Sequence, residues 1–284
     1  MVHPSRDLDR ILSETREWCS AHGVELGQVR IPGNDRLVAD PIEPETCDLL
    51  LALGGDGTTL AALHQAADAN AGQVLGIACG SVGVLTSVAA DKVTAALDQV
   101  RTGRFAAVTV PGLTVRPEQG APETAINDLA VIRDGPGQVI VSIAVDDVLY
   151  ARLAGDGVVV ATALGSSAYT MAAGGPLLAP GAEGMVVTPL AAHGGSYPPL
   201  VAGNDSRLTL AVDVGHGSVR YEIDGRTAAI EGPGLTVEAR PAYAKLVELA
   251  DEEPRLTGLR RRGLVADSPR VLVRERRLDA DLRQ

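Results

Sequence analysis

Aromatic residues make up only 2% of this 284-residue chain. Its interior must be filled mainly by Ala, Val and Leu, which argues against a platform of stacked aromatics for single-stranded nucleic acid. Positive charge is also outnumbered: a net charge of −11 and a pI near 4.9 disfavour a broad cationic face for DNA or RNA. A local anion site survives that argument, because backbone amides hold phosphate without net positive charge. The three cysteines, Cys19, Cys47 and Cys79, are odd in number and lack metal-ligand spacing, so a reduced, cytoplasmic setting is expected. No apolar signal region follows Met1, and no apolar run is long enough to span a bilayer. Neither nucleic acid nor a membrane is an expected partner.

What is present divides into two textures. Up to residue 104 the pattern is helix, strand, turn, helix, as in an α/β layer. Leu8, Ile11, Leu12, Thr15, Trp18 and Cys19 recur at helical spacing, and Gly23 stops that helix. Residues 48–53 and 74–77 read as buried strands, and residues 60–69 and 92–100 as helices. A doubly wound layer ordinarily opens with a strand, yet only Met1-Val2 precedes His3-Pro4, so that strand is expected to be absent or cut short. Residues 105–249 read as a β-rich, sandwich-like domain, with strands at 139–145, 208–214, 219–223 and 235–239 and one helix at 167–173. Residues 250–284 form an arginine-rich segment including Arg255, Arg260, Arg261, Arg262, Arg270, Arg274, Arg276 and Arg277. It is expected to be a solvated helix and tail, or to return to the first domain or another subunit.

Chemistry concentrates where strands meet glycine. The 48–53 strand runs into Gly54-Gly55-Asp56-Gly57-Thr58, and a helix follows, so free amides and the positive end of its dipole face the turn. That is a place for phosphate, although neither the dinucleotide fingerprint nor the P-loop spacing is met. A carboxylate there needs a reason: Asp56 can organise a divalent cation, or act as base for a hydroxyl attacking the phosphate. It can also simply cap the helix. Asn127-Asp128 could grip a pair of ribose hydroxyls, or form a plain turn. The stretch from Gly155-Asp156-Gly157 to Ser167-Ala168-Tyr169 is a strand leading through Gly165 into a Ser-Ser helix start. Asp224-Gly225 reads most simply as a hairpin turn, and His193 and His64 as structural residues.

Taken in order, these segments resemble the NAD kinase family, which belongs to a superfamily shared with diacylglycerol and sphingosine kinases. The resemblance spans roughly residues 3–250 and is most specific from Asp156 to Pro176. It implies an α/β domain, a β-rich domain and an active site between them. The γ-phosphoryl of ATP, or of polyphosphate in some members, would pass to the 2′-hydroxyl of the adenosine ribose of NAD, assisted by Mg²⁺ or Mn²⁺. Family members are commonly dimers or tetramers. Carried over by position, Asp56 is the base or metal-organising carboxylate, with Gly55, Gly57 and Thr58 near phosphate. Asn127 and Asp128 would hold ribose hydroxyls opposite Asp56. Asp156, Ser167, Ala168 and Tyr169 would line base pockets, with His193 and Asp224 at the same cleft. Departures occur at Ala78-Cys79, Val82-Gly83-Val84-Leu85 and Thr162-Ala163-Leu164-Gly165-Ser166. They leave room for a kinase of another acceptor (NADH, a lipid or another alcohol), or for a non-catalytic dinucleotide-binding paralogue.

Overall fold

The computed structural model describes residues 1–81, 83–86 and 88–274. In the first part, α1 (Asp9–His22) buries Ile11, Leu12, Thr15 and Cys19 and ends at Gly23, whose φ is 65°. Then come β1 (Leu49–Gly54), α2 (Asp56–Asp68), β2 (Gln73–Ala78), β3 (Val88–Ala89) and α3 (Val93–Arg101). β1 and β2 pair in parallel from Leu49↔Gln73 to Gly54↔Ala78, and parallel neighbours need the crossover that α2 supplies. At the chain start, Val2 makes a parallel bridge to Leu53, and the His3 N–H donates to the Leu53 carbonyl. The expected opening strand is thus represented by a short bridge on the edge of β1. α2 begins four residues earlier than its apolar pattern suggests, so Asp56 is its first residue.

The second part holds β4 (Phe105–Gln119), β5 (Glu123–Ala125), β6 (Asp128–Asp134), β7 (Val139–Val145), β8 (Val148–Gly155) and β9 (Gly157–Thr162). After α4 (Tyr169–Ala172) follow β10 (Met185–Leu190), β11 (Leu200–Ala202), β12 (Arg207–Asp213), β13 (Ser218–Ile223), β14 (Arg226–Ala228) and β15 (Glu231–Leu249). Two sheets result. One runs β1-β2-β15-β12-β7-β8, with β3, β4 and β5 attached; the other runs β11-β10-β9-β6-β13-β14. Alternate residues of both point inward, so Leu113, Val115, Ile143, Leu208 and Leu210 meet Leu129, Val131, Val158, Val160 and Met185 in one aliphatic core. The sandwich and the Ala/Val/Leu-rich interior are as the sequence implies.

Three sequence expectations change. Residues 235–239 are only the middle of β15, whose irregularities at Glu231/Leu235 and Arg240/Ala244 interrupt the alternation that would reveal its length. The helix expected at 167–173 is a 3₁₀ turn (Gly165–Ser167) followed by the four-residue α4. The return to the first part is made by the end of β15, where Leu246 pairs in parallel with Val74, so one sheet crosses the expected 104/105 boundary. Beyond it, α5 (Arg255–Arg261) buries Leu259, and Arg255 pairs with Glu248 at 2.8 Å. Arg276, Arg277 and the rest of 275–284 lie outside the described residues, as does Val82. Among the described residues no helix is long and apolar enough to cross a membrane.

Candidate active site

The turn between β1 and α2 leaves space at Gly55 and Gly57, whereas Gly54 packs against the Thr58 side chain. Nothing lies within 4 Å of where a Cβ on Gly57 would sit, and the nearest atom to one on Gly55 is Arg6 Nη2 at 3.9 Å. Arg6 also donates to the Cys79 carbonyl, placing a guanidinium beside the loop. Thr58 is buried under it. The Asp56 carboxylate turns toward residues 83–86. Its Oδ2 accepts from the Val84 N–H (2.8 Å), and its Oδ1 from the Leu85 (2.9 Å) and Thr86 (3.2 Å) N–H groups and the Thr86 hydroxyl (3.2 Å). A Cβ on Gly83 would lie 2.0 Å from Asp56 Oδ1, so only glycine permits this approach. No hydrogen bond joins Asp56 to Asn127 or Asp128; its carboxylate serves its own half of the molecule.

Asp224-Gly225 does form the β13–β14 hairpin turn, with φ of 51° and 73°. Its side chain does more than turn the chain. Asp224 Oδ1 accepts from the N–H groups of Ile126 (3.1 Å), Asn127 (2.7 Å) and Asp128 (3.2 Å), and Oδ2 from Ile126 (3.0 Å). Oδ2 also lies 2.8 Å from His64 Nε2, reaching into the first part of the molecule. With its side chain 2% exposed, Asp224 organises the 126–128 turn from beneath. On the other side, Thr162 Oγ donates to the Ile126 carbonyl and accepts from the Gly165 N–H. A Cβ on Gly165 would lie 1.9 Å from the Asn127 carbonyl oxygen, so the strand-to-helix turn packs directly on Asn127.

Asp128 is buried beside this carboxylate. Burial first and Asp224 second push its carboxyl up to about 7 from 3.8, against the opposing Tyr169 backbone N–H. The folded state therefore holds the proton more tightly than the unfolded chain. Stability should fall as pH rises from about 4 to about 7 and level off above. Asp128→Asn is expected to remove that slope and to gain on the order of 2–4 kcal/mol over the parent at pH 8. Chemical denaturation of both proteins at pH 5 and pH 8 measures it; equal slopes would overturn the assignment.

A cavity of about 490 Å³ opens next to Tyr169 and is lined by Asp156, Arg133, Arg220, Pro189 and Leu190. Asp156 pairs with Arg133 at 2.5 Å, and Tyr169 is 37% exposed. Ser167 donates to the Leu164 carbonyl, and Ala168 joins the 3₁₀ turn to α4. His193 is exposed, bridges Ala154 through its backbone, and makes no side-chain hydrogen bond among the described residues. Among the described residues no three His, Cys, Asp or Glu side chains gather to hold a metal ion. A cation arriving with nucleotide phosphates would find the Asp56 carboxylate beside the glycine loop.

Sequence reasoning read His64 as structural and passed over Tyr243, Arg6 and the Arg133–Arg220 wall of the cavity. For His64 the signal was faint: a single histidine two turns along the helix that Asp56 opens.

The family model described as the ATP-NAD kinase N-terminal domain matches residues 4–105, and that of the ATP-NAD kinase C-terminal domain matches residues 126–249. The NAD kinase of Chlorobaculum tepidum is 32% identical over 205 residues, 71% of each chain. That of Halobacterium salinarum is 36% identical over 224 residues, 75% of each. Two solved structures share the fold. Yeast NADH kinase complexed with NADH superposes with a TM-score of 0.76 at 20% identity, covering 92% of this chain and 85% of that one. An Archaeoglobus fulgidus NAD kinase in complex with ATP gives 0.71 at 24% identity, covering 91% and 95%.

Proposed function

The chain belongs to the ATP-NAD kinase family, and we propose that it passes the γ-phosphoryl of ATP to the 2′-hydroxyl of the adenosine ribose of NAD, giving NADP and ADP. One observation carries the reading at the level of the site. The glycine loop and the Asn127-Asp128 turn, far apart in sequence, belong to one hydrogen-bonded unit through His64 and Asp224. In this reading the amides of residues 55–57 receive phosphate, with Arg6 beside them. Asn127 and Asp128 hold ribose hydroxyls, while Asp156, Ser167, Ala168 and Tyr169 border the rest of the dinucleotide and His193 stands at its rim. The ribose O2′ bonds to Pγ as the bond from Pγ to the β-phosphate oxygen breaks, and the hydroxyl proton passes to Asp56. Its Oδ2, which accepts only from the Val84 N–H among the described residues, keeps a lone pair for it. A divalent cation bound with the ATP phosphates, Mg²⁺ or Mn²⁺, would neutralise their charge.

The three free cysteines accord with a cytoplasmic setting. A homo-oligomer is supported by the edge strand β8, where Val148 is 71% and Leu149 53% exposed. Incubation with NAD, ATP and Mg²⁺ should yield NADP, with NADH as a parallel acceptor and polyphosphate as a parallel donor. Calorimetric binding of NAD without turnover from any donor would overturn the catalytic reading.

A further inference from the structure

We propose that His64 is a positioning residue for phosphoryl transfer, holding the helix that opens with Asp56 in register with the turn that presents Asn127 and Asp128. The inference rests on the reading above of those segments as phosphate and ribose sites. His64 Nε2 lies 2.8 Å from Asp224 Oδ2, and Nδ1 lies 2.9 Å from the Tyr243 hydroxyl. The two rings meet edge-on, with centroids 5.5 Å apart. Tyr243 in turn donates to Asp68 Oδ1 at 3.1 Å, at the far end of the same helix. α2 is thus gripped at two points, by Asp224 from the β13–β14 hairpin and by Tyr243 from β15.

The two ring nitrogens account for the residue type. The series Asp224, His64, Tyr243, Asp68 has three links and a carboxylate at each end. An imidazole presents one nitrogen to Asp224 and the other to Tyr243, which no aliphatic side chain can do. Arg240, with its guanidinium carbon 4.8 Å from the Tyr243 ring centroid, and Asp128, beside Asp224, complete the charged surroundings. Asp224 already holds the amides of Ile126, Asn127 and Asp128, so any tilt of α2 transmitted through His64 changes the distance between donor and acceptor sites.

A displacement of about 1 Å between reacting groups can cost on the order of 10²-fold in rate. His64→Leu is therefore expected to lower kcat about 10–100-fold, with dissociation constants for NAD and ATP moving less than about 3-fold. His64→Gln, which can still donate to Asp224, should recover kcat to within about 5-fold of the parent. Calorimetric stoichiometry for NAD separates positioning from simple loss of folded protein. Full stoichiometry with reduced kcat supports the inference; reduced stoichiometry with parental kcat per binding site overturns it. If His64→Leu does not fold, Tyr243→Phe carries the same expectation at a smaller size, about 3–10-fold in kcat, and parental kcat overturns it. An active parent with parental kcat in His64→Leu overturns the role of His64 alone. A parent that makes no NADP from any donor overturns the reading beneath it, and this inference too.

Discussion

Asp56→Asn is expected to lower kcat by about 10²–10⁴-fold, the usual worth of a positioned general base. The amide cannot accept the ribose proton, so the loss should lie in kcat rather than in NAD binding. A smaller structural loss should accompany it. Asp56 Oδ1 takes the Leu85 and Thr86 donors and Oδ2 takes Val84, whereas an amide has one acceptor oxygen. Whichever way it turns, a donor of the 84–86 turn faces an NH₂ group, at a cost of about 1–3 kcal/mol. The two effects separate when kcat is measured well below the melting temperature of the variant and referred to folded protein. If kcat stays within about 10-fold of the parent, Asp56 is no base. Its role would then be the one its hydrogen bonds already display, holding the 83–86 turn against the glycine loop.

Asp224→Ala should be the most damaging single change to the fold of the site. It strips the acceptor from the backbone N–H groups of Ile126, Asn127 and Asp128 and leaves His64 Nε2 without its partner. Removing one member of a buried, charge-assisted network of this kind costs about 3–5 kcal/mol. NAD affinity should fall with it, because the turn bearing Asn127 and Asp128 loses its support. Urea denaturation and NAD calorimetry together measure both outcomes. A loss of less than about 1 kcal/mol would mean that the turn holds itself and that Asp224 only closes a hairpin.

These two carboxylates also mark how far the amino-acid order can be read without coordinates. Helices α1 and α3 and strands β1, β2, β7, β12 and β13 were legible because their apolar spacing is a local property. Gly23 and Asp224-Gly225 were legible as punctuation because a positive φ selects glycine and aspartate locally. The succession of glycine loop, Asn-Asp pair and strand-to-Ser-Ser turn pointed to the family. β15 was not readable at full length, because its irregularities fall where a partner strand, β4, shifts register. The bearing of each site carboxylate was not readable either. Asp224 reaches the 126–128 amides only because β13 pairs with β6 in the register Ile223↔Leu129. His64 meets it only because β15, reaching from the sandwich to β2, brings the second part of the molecule against α2. By itself the sequence determined the elements of the first part, several strands of the second and the glycine turns, since these follow from short-range sterics and periodicity, and its ordered motifs carried the resemblance to the family. The tertiary structure alone decided that Asp56 faces the 83–86 turn and that Asp224 and His64 tie the two halves together. A side chain's hydrogen-bond partners are chosen by which distant strands happen to lie beside it.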